Sequence, residues 1–156
     1  MKKIILTLIG MISISAMAQE VMTPELLWQI RRVSSLGISK DQKFIIYKVS
    51  TPSVAENKSH SKYYQIPIGK AALLSEGEEA CIITYGMGVY WAAAAAKQFD
   101  GAVEVIDLRT LFPLDEELIF STVKKHGKCL VLTEEQQNNS FAEALAHRIS
   151  YNCFQW

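Results

Sequence analysis

The chain has 156 residues, room for one domain or one domain with an appendage, and 49% of them are apolar, enough to build a buried core. The net charge is zero, but the two parts of the chain have opposite net charges. Residues 1–62 carry nine Lys and Arg against four Asp and Glu, and residues 63–156 carry seven against twelve. Such a split is typical of a basic arm on an acidic domain, or of two unrelated pieces in one chain. No basic cluster is interleaved with aromatic residues, so nucleic-acid binding has little support.

The first twenty residues have the pattern of a secretory signal peptide. Lys2 and Lys3 precede an apolar run over residues 4–14, and a small-x-small cleavage pattern ends at Ala18. The run is too short to span a bilayer comfortably. A buried N-terminal helix is the alternative, but the flanking residues favour export. We therefore expect residues 1–18 to be a signal peptide and the protein to be secreted or periplasmic.

Residues 19–62 are predicted to form a short helix and a strand. Thr23 is a candidate N-cap, Pro24 suits the first helical position, and apolar residues then recur at helical spacing. A strand is predicted over Phe44–Val49, and the polar stretch Ser50–Lys62 is predicted to be a loop. The residues of the apolar stripe are Leu26, Leu27, Ile30 and Val33.

The same region resembles the mature N-terminus of secreted prolyl-oligopeptidase-type serine peptidases. The resemblance lies in the MTPELLW start, the ISKDQKFIIYKVS strand pattern and the ENKS loop, and it extends to about residue 67. It implies a short helix leading into the first blade of a β-propeller. The family's catalytic Ser-Asp-His set belongs to a distant hydrolase domain, and this chain has no GxSxG.

From Tyr63 onward, apolar strands alternate with helices. Such repeats with short connections imply right-handed crossovers and a parallel sheet. The predicted fold class is therefore α/β, a three-layer domain with a three-stranded parallel sheet. Its predicted strands are Ala80–Tyr85, Val103–Leu108 and Cys129–Thr133. Its predicted helices are Val89–Phe99, one capped by Asp115 and stopped by Gly127, and one from Phe141 to about Asn152 capped by Ser140.

Four segments of this region resemble the transketolase C-terminal domain, as it occurs in the beta part of thiamine-diphosphate-dependent 2-oxoacid dehydrogenases. DLRTLFPLD following an IITYG strand is the most specific of these motifs. After Glu134 the chain lacks the glycine-rich turn of the two-chain enzymes and looks more like bacterial enzymes with fused alpha and beta parts. The matching segments are Tyr64–Leu74, Ile82–Gly86, Val103–Asp115 and Val123–Glu134.

The resemblance implies a fragment of the component that decarboxylates a 2-oxoacid and passes the acyl group to a lipoyl carrier. In that family the alpha part and the preceding domain hold thiamine diphosphate and magnesium. The fragment is therefore expected to bind no cofactor and to be inactive alone. Its expected partners are the remaining dehydrogenase domains, the lipoyl acyltransferase core and further copies of itself. The resemblance to the dehydrogenase also implies a cytoplasmic location, which conflicts with the predicted export.

The segment Tyr63–Gly69 fits both families, and a short stretch shared by two sequences is where recombination or a mistaken assembly would join them. We therefore expect a chimeric or misassembled reading frame with its junction there. The expected domains are a signal peptide over residues 1–18, a propeller-like segment over residues 19–62 and a truncated transketolase C-terminal-like domain over residues 63–156. Because the family's domain continues past Cys153, we expect an incomplete sheet that is marginally stable and self-associating. A fragment of a secreted peptidase and an exported binding module remain as alternatives.

Three residues are candidate interface or anion contacts. Arg109 and Glu134 follow strand ends at the carboxyl edge of the predicted sheet, where ligands bind in open α/β sheets. Tyr85 could lie at a subunit interface or simply pack. The alternative for Arg109 is a structural role beside Asp107 or Asp115. For Glu134 it is a loop carboxylate near a helix N-terminus.

The cysteines are predicted to be buried thiols. Cys81 and Cys129 each begin an apolar run, and no cysteine lies in a CxxC pair. Histidine at metal-ligand spacing is also missing, so no metal site is predicted. The chain has no loop histidine set that could carry the dehydrogenase chemistry, so no catalytic residue is predicted.

Overall fold

The computed structural model describes residues 22–154, so the predicted signal peptide over residues 1–18 lies outside the described residues. The chain divides into two compact units. Among the described residues, one comprises residues 22–36 with 47–64, and the other comprises residues 37–46 with 65–154. Over the described range, the helices are all too short or too polar to cross a membrane.

A short helix and three consecutive strands form the first part of the described chain. They are α1 (Pro24–Gln29), β1 (Arg32–Ile38), β2 (Phe44–Ser53) and β3 (Lys58–Pro67). The strands form one sheet in the order β1-β2-β3. Because the connections have only a few residues, both strand pairs are hairpins and therefore antiparallel.

The predicted start of α1 is confirmed, but its predicted length is wrong. Leu26 N donates to Thr23 Oγ1 at 3.2 Å, and Pro24 occupies the first turn. The helix stops at Gln29, Ile30 is extended, and Val33 lies in β1. The apolar stripe was misleading because β-branched Ile and Val, followed by two serines, form a strand more readily than a helix.

The predicted loop at Ser50–Lys62 is also wrong. Strand β2 continues to Ser53, the turn is short, and β3 begins at Lys58. Polar residues fill β3 because its residues are largely exposed. Cross-strand contacts hold the pair: Ser50 Oγ lies 3.0 Å from Ser61 Oγ, and the Tyr47 and Tyr64 rings stack at 5.3 Å.

A four-stranded mixed sheet forms the centre of the second unit. Its strands are β4 (Ala72–Ser75), β5 (Ala80–Thr84), β6 (Val103–Asp107) and β7 (Cys129–Leu132), in the order β4-β6-β5-β7. Strand β5 pairs in parallel with β6 and β7, which confirms the three predicted parallel strands. Strand β4 pairs antiparallel with β6, so the expected count of three strands is wrong.

Three helices accompany this sheet: α2 (Gly88–Gln98), α3 (Glu116–His126) and α4 (Phe141–Cys153). The predicted caps are confirmed. Leu118 N donates to the Asp115 carboxylate, and Glu143 N donates to Ser140 Oγ. Gly127 ends α3 with φ at +66°, a conformation that favours glycine.

Apolar residues of the sheet alternate between two faces, and helices cover both. One cluster packs α2 on the sheet, and its buried members are Ile82, Ala92 and Val105. The larger cluster packs α3 and α4 on the other face, and its buried members are Cys81, Ile83, Ile106, Leu108, Ile119, Val123, Leu145 and Ile149. The three-layer α/β architecture is thus confirmed.

A carboxylate is buried on the α3 side of β6. Glu104 is 6% exposed and accepts hydrogen bonds from Lys125 Nζ at 2.6 Å, His126 Nε2 at 3.0 Å and Thr122 Oγ1 at 3.3 Å. Burial pushes the pKa of Glu104 upward, but the hydrogen bonds from Lys125 and His126 outweigh it, so this pKa lies below its usual value. The carboxylate therefore joins the middle of the sheet to the end of α3.

Candidate functional site at the carboxyl edge of the sheet

The structure places Tyr85, Arg109 and Glu134 at one edge of the sheet. Tyr85 follows the end of β5, and Arg109 and Glu134 come shortly after β6 and β7. The three strands are parallel, and Thr84 is the register partner of Asp107 on one side and of Leu132 on the other. Their carboxyl ends therefore meet, as the sequence predicted. We call this region the carboxyl edge.

A glycine turn joins β5 to α2 at this edge. Gly86 has φ at +60°, and a Cβ there would lie 3.4 Å from Glu134 Oε1. A Cβ on Gly88 would overlap Thr84 Oγ1 and lie 2.8 Å from Leu132 O. Thr84 Oγ1 itself donates to Leu132 O at 2.9 Å. The turn therefore requires small residues, and Glu134 lies against it.

Tyr85 is half-buried, and its ring packs edge-on against Phe141 at 5.5 Å between centroids. Among the described residues, its hydroxyl is buried without a hydrogen-bond partner. Burial raises the pKa of Tyr85, with Thr133 and Glu135 as polar neighbours. The phenol is thus a neutral group that supports the start of α4.

Arg109 lies in a tight turn after β6. Its φ is +54°, its amide donates to Asp107 Oδ1 at 3.1 Å, and its Nε lies 3.8 Å from Asp107 Oδ2. Of the two acidic residues considered from sequence, Asp107 is therefore the neighbour. The Arg109 side chain is 39% exposed. Since guanidinium has five N–H donors, this pairing leaves others facing solvent.

The segment from Thr110 to Asp115 is held from both sides. Gly69 N donates to Thr110 Oγ1 at 3.0 Å, which in turn donates to Pro113 O at 3.1 Å. Ala71 N donates to Asp115 Oδ2 at 3.1 Å. Asp115 thus caps α3 and also binds the backbone of the residue that precedes β4. These bonds give the loop a defined conformation, including a cis peptide bond before Pro113.

This braced loop presents Phe112, whose side chain is 97% exposed. The sequence does not distinguish Phe112 from its apolar neighbours Leu111 and Leu114, which pack against the core. The DLRTLFPLD motif was the one feature of the sequence that pointed to this loop. A nearly fully exposed aromatic ring on an ordered loop is a candidate contact for another protein.

Acidic groups outweigh basic ones at the carboxyl edge, where Asp107, Glu134 and Glu135 accompany Arg109. Within residues 22–154, His, Cys, Asp and Glu side chains do not assemble into a group that could hold a metal ion. The described residues at this edge do not fit a magnesium diphosphate, which needs carboxylates gathered around the metal and cations around the phosphates.

Comparison with known proteins places the second unit in a family. Residues 69–156 match the family model "Transketolase, C-terminal domain". The 2-oxoisovalerate dehydrogenase subunit beta of Pseudomonas aeruginosa is 40% identical over 92 residues, covering 59% of this chain and 26% of that protein. The subunit of the same name from Bacillus subtilis is 42% identical over 93 residues, covering 58% of this chain and 28% of that protein.

A solved structure titled "Split gene transketolase, inactive beta4 tetramer" is 27% identical, with a TM-score of 0.49, and covers 53% of this chain and 28% of that one. The chain spans about a quarter of the length of the two curated relatives described above. The family model covers more than half of the chain. The chain therefore belongs to the transketolase C-terminal domain family.

Proposed function

We propose that residues 63–156 act as the subunit-associating C-terminal domain of the decarboxylating component of a 2-oxoacid dehydrogenase. The observation that carries the proposal is Phe112, an aromatic side chain 97% exposed on a loop fixed by hydrogen bonds. The similarity to two beta subunits supports the class of enzyme. The parent reaction is oxidative decarboxylation of a 2-oxoacid with acyl transfer to a lipoyl carrier.

Within this proposal, the carboxyl edge supplies both apolar and charged contacts. Phe112 inserts into a partner surface, and the free N–H groups of Arg109 bind a carboxylate or another anion there. Glu134 contributes an acidic contact beside the glycine turn. Tyr85 lies behind these groups and positions α4 through Phe141. The partners are the remaining dehydrogenase domains, the lipoyl acyltransferase core and a second copy of this domain.

The domain is not catalytic alone in this account. Thiamine diphosphate and magnesium belong to other parts of the enzyme, and the acidic character of the carboxyl edge supports this assignment. Calorimetric titration of the purified chain with thiamine diphosphate and magnesium should give no binding heat. Stoichiometric binding would contradict the assignment, because it would require a cofactor site on this domain.

Sedimentation velocity over a concentration series tests the association surface. Burying a phenylalanine side chain stabilises by about 1.5–3 kcal/mol, which corresponds to a tenfold or greater change in a dissociation constant. The full-length chain should therefore associate reversibly, and Phe112→Ala should weaken association at least about tenfold. Phe99→Ala is the matched control, because Phe99 is exposed at the opposite end of α2. Equal association by wild type and Phe112→Ala would contradict the proposal.

For the first part of the chain we propose a second identity: a signal peptide over residues 1–18 and a peptidase propeller start over residues 19–62, joined to the dehydrogenase domain in a chimeric reading frame. A short helix followed by hairpin strands supports this, since a propeller blade is an antiparallel sheet. One long sequencing read across codons 60–72 tests it. Two separate loci would establish the chimera as an assembly error.

The location of the protein can be tested separately. Leader cleavage predicts that the mature chain begins at Gln19 and is exported, whereas the dehydrogenase identity predicts a cytoplasmic chain beginning at Met1. Mass spectrometry of the N-terminal peptide in each cell fraction distinguishes the two. An exported chain starting at Gln19 that binds an extracellular partner would favour the binding-module alternative.

A further inference from the structure

Two thiols lie side by side in the sheet of the second unit. Cys81 in β5 and Cys129 in β7 are register partners in a parallel strand pair. Neighbouring strands run about 4.8 Å apart, and register partners point to the same face of the sheet. A disulfide accepts Cα–Cα separations of roughly 4.4–6.8 Å. The register therefore places the two Cα atoms within the range that a disulfide accepts.

The two thiols differ in their burial and in their hydrogen bonds. Cys81 is fully buried, whereas Cys129 is half-buried in the edge strand β7. The neutral Cys81 thiol donates to Lys128 O at 3.4 Å. Its hydrogen bond with Cys129 lowers the pKa of the Cys129 thiol and raises that of Cys81. The thiol with the lowered pKa is therefore also the more accessible of the pair.

We propose that Cys81 and Cys129 are an oxidative modification site, which a peroxide converts to a reversible disulfide. The Cys129 thiolate attacks one peroxide oxygen, the O–O bond breaks, and the second oxygen leaves as hydroxide that takes up a proton. The Cys81 sulfur then attacks the Cys129 sulfenic acid. An S–S bond forms, the S–O bond breaks, and the oxygen leaves with a proton as water. Two thiols are oxidised and the peroxide is reduced to two waters.

The bridge would tie the edge strand β7 to the central strand β5. Because it closes a long loop of chain, it removes conformational freedom from the unfolded state, and the melting temperature of the oxidised protein should rise by a few degrees. Cys153 packs at the edge of the same apolar cluster, with its Sγ 3.9 Å from Phe120 O. It is the natural competitor for Cys129.

Tryptic mapping of the full-length chain decides the pairing. The three cysteines fall in separate peptides, residues 71–97, 129–148 and 149–156. After reduction and treatment with hydrogen peroxide, most of the peptide 71–97 should be linked to 129–148 and released by dithiothreitol. The Cys153→Ser variant is the matched control and should give the same link. A link between 129–148 and 149–156, a link between chains, or no link at all would overturn the proposal.

The order of steps has its own test. In Cys81→Ala, dimedone should trap a sulfenic acid on Cys129, because the resolving thiol is missing. In Cys129→Ser, dimedone labelling and disulfide formation should both be lost. Preferential labelling of Cys81 or Cys153 in the wild-type chain would contradict the assigned roles. Mapping of the wild-type protein keeps the test decisive even if a Cys81 variant does not fold.

Discussion

Replacing Glu104 by Gln should destabilise the second unit at neutral pH. The substitution keeps the shape of the side chain but removes the charge that receives hydrogen bonds from Lys125 and His126. Hydrogen bonds to charged groups contribute about 1.5–3 kcal/mol, against about 0.5–1.5 kcal/mol for neutral ones. The Lys125 side chain is 57% exposed, which reduces its share through solvent screening. We therefore expect a loss of about 1–2 kcal/mol in the free energy of unfolding at pH 7.

The stability difference between wild type and Glu104→Gln should depend on pH in a defined direction. Because the folded pKa of Glu104 lies below its unfolded value of 4.5, its contribution is complete above that pH and is lost as the pH falls through the folded pKa. The difference in unfolding free energy between wild type and Glu104→Gln should thus shrink on acidification below pH 4.5. Urea unfolding followed by circular dichroism at a series of pH values measures it.

Glu79→Gln is the matched control for this experiment. Glu79 is an exposed carboxylate just before β5, so its replacement should change stability by less than about 0.5 kcal/mol at each pH. If Glu104→Gln proves as stable as wild type at pH 7, or if the difference between them does not depend on pH, the role assigned to the buried carboxylate is wrong.

Three further substitutions test the carboxyl edge by urea unfolding. Asp115→Ala should cost about 1–2 kcal/mol, because it removes the cap of α3 and the acceptor for Ala71 N, and an unchanged stability would contradict this. Gly88→Ala should cost roughly 1–3 kcal/mol through overlap with Thr84 and Leu132, so a neutral effect would mean that the turn relaxes. Tyr85→Phe removes a buried hydroxyl without a partner in the described chain and should be neutral or stabilising, whereas a clear loss would reveal an unrecognised hydrogen bond.

Local chemistry made much of the second unit predictable. A helix cap depends on a few neighbouring residues, so Asp115, Gly127 and Ser140 could be assigned from sequence. Strands β5 and β7 are recognisable in the sequence as apolar runs, and β6 is recognisable by its alternating pattern. Their parallel order also predicts that Arg109 and Glu134 lie at one edge, whereas the place of Tyr85 at that edge is seen only in the structure.

Features that depend on distant partners were missed. Strand β4 is short, and its pairing partner β6 follows after two intervening elements. The polar sequence of β3 predicts a loop, because its pattern reflects exposure and not backbone conformation. The exposure of Phe112 and the pairing of Cys81 with Cys129 depend on tertiary contacts, which sequence spacing does not encode.

Domain replacement tests the proposed association function most directly. Residues 69–156 of this chain would replace the matching region of the Bacillus subtilis 2-oxoisovalerate dehydrogenase subunit beta, and the hybrid would be chromatographed with its alpha subunit. We expect the hybrid to co-elute with the alpha subunit, and the same hybrid with Phe112→Ala to co-elute more weakly. A folded hybrid that never joins the alpha subunit, while the native beta subunit does, would contradict it.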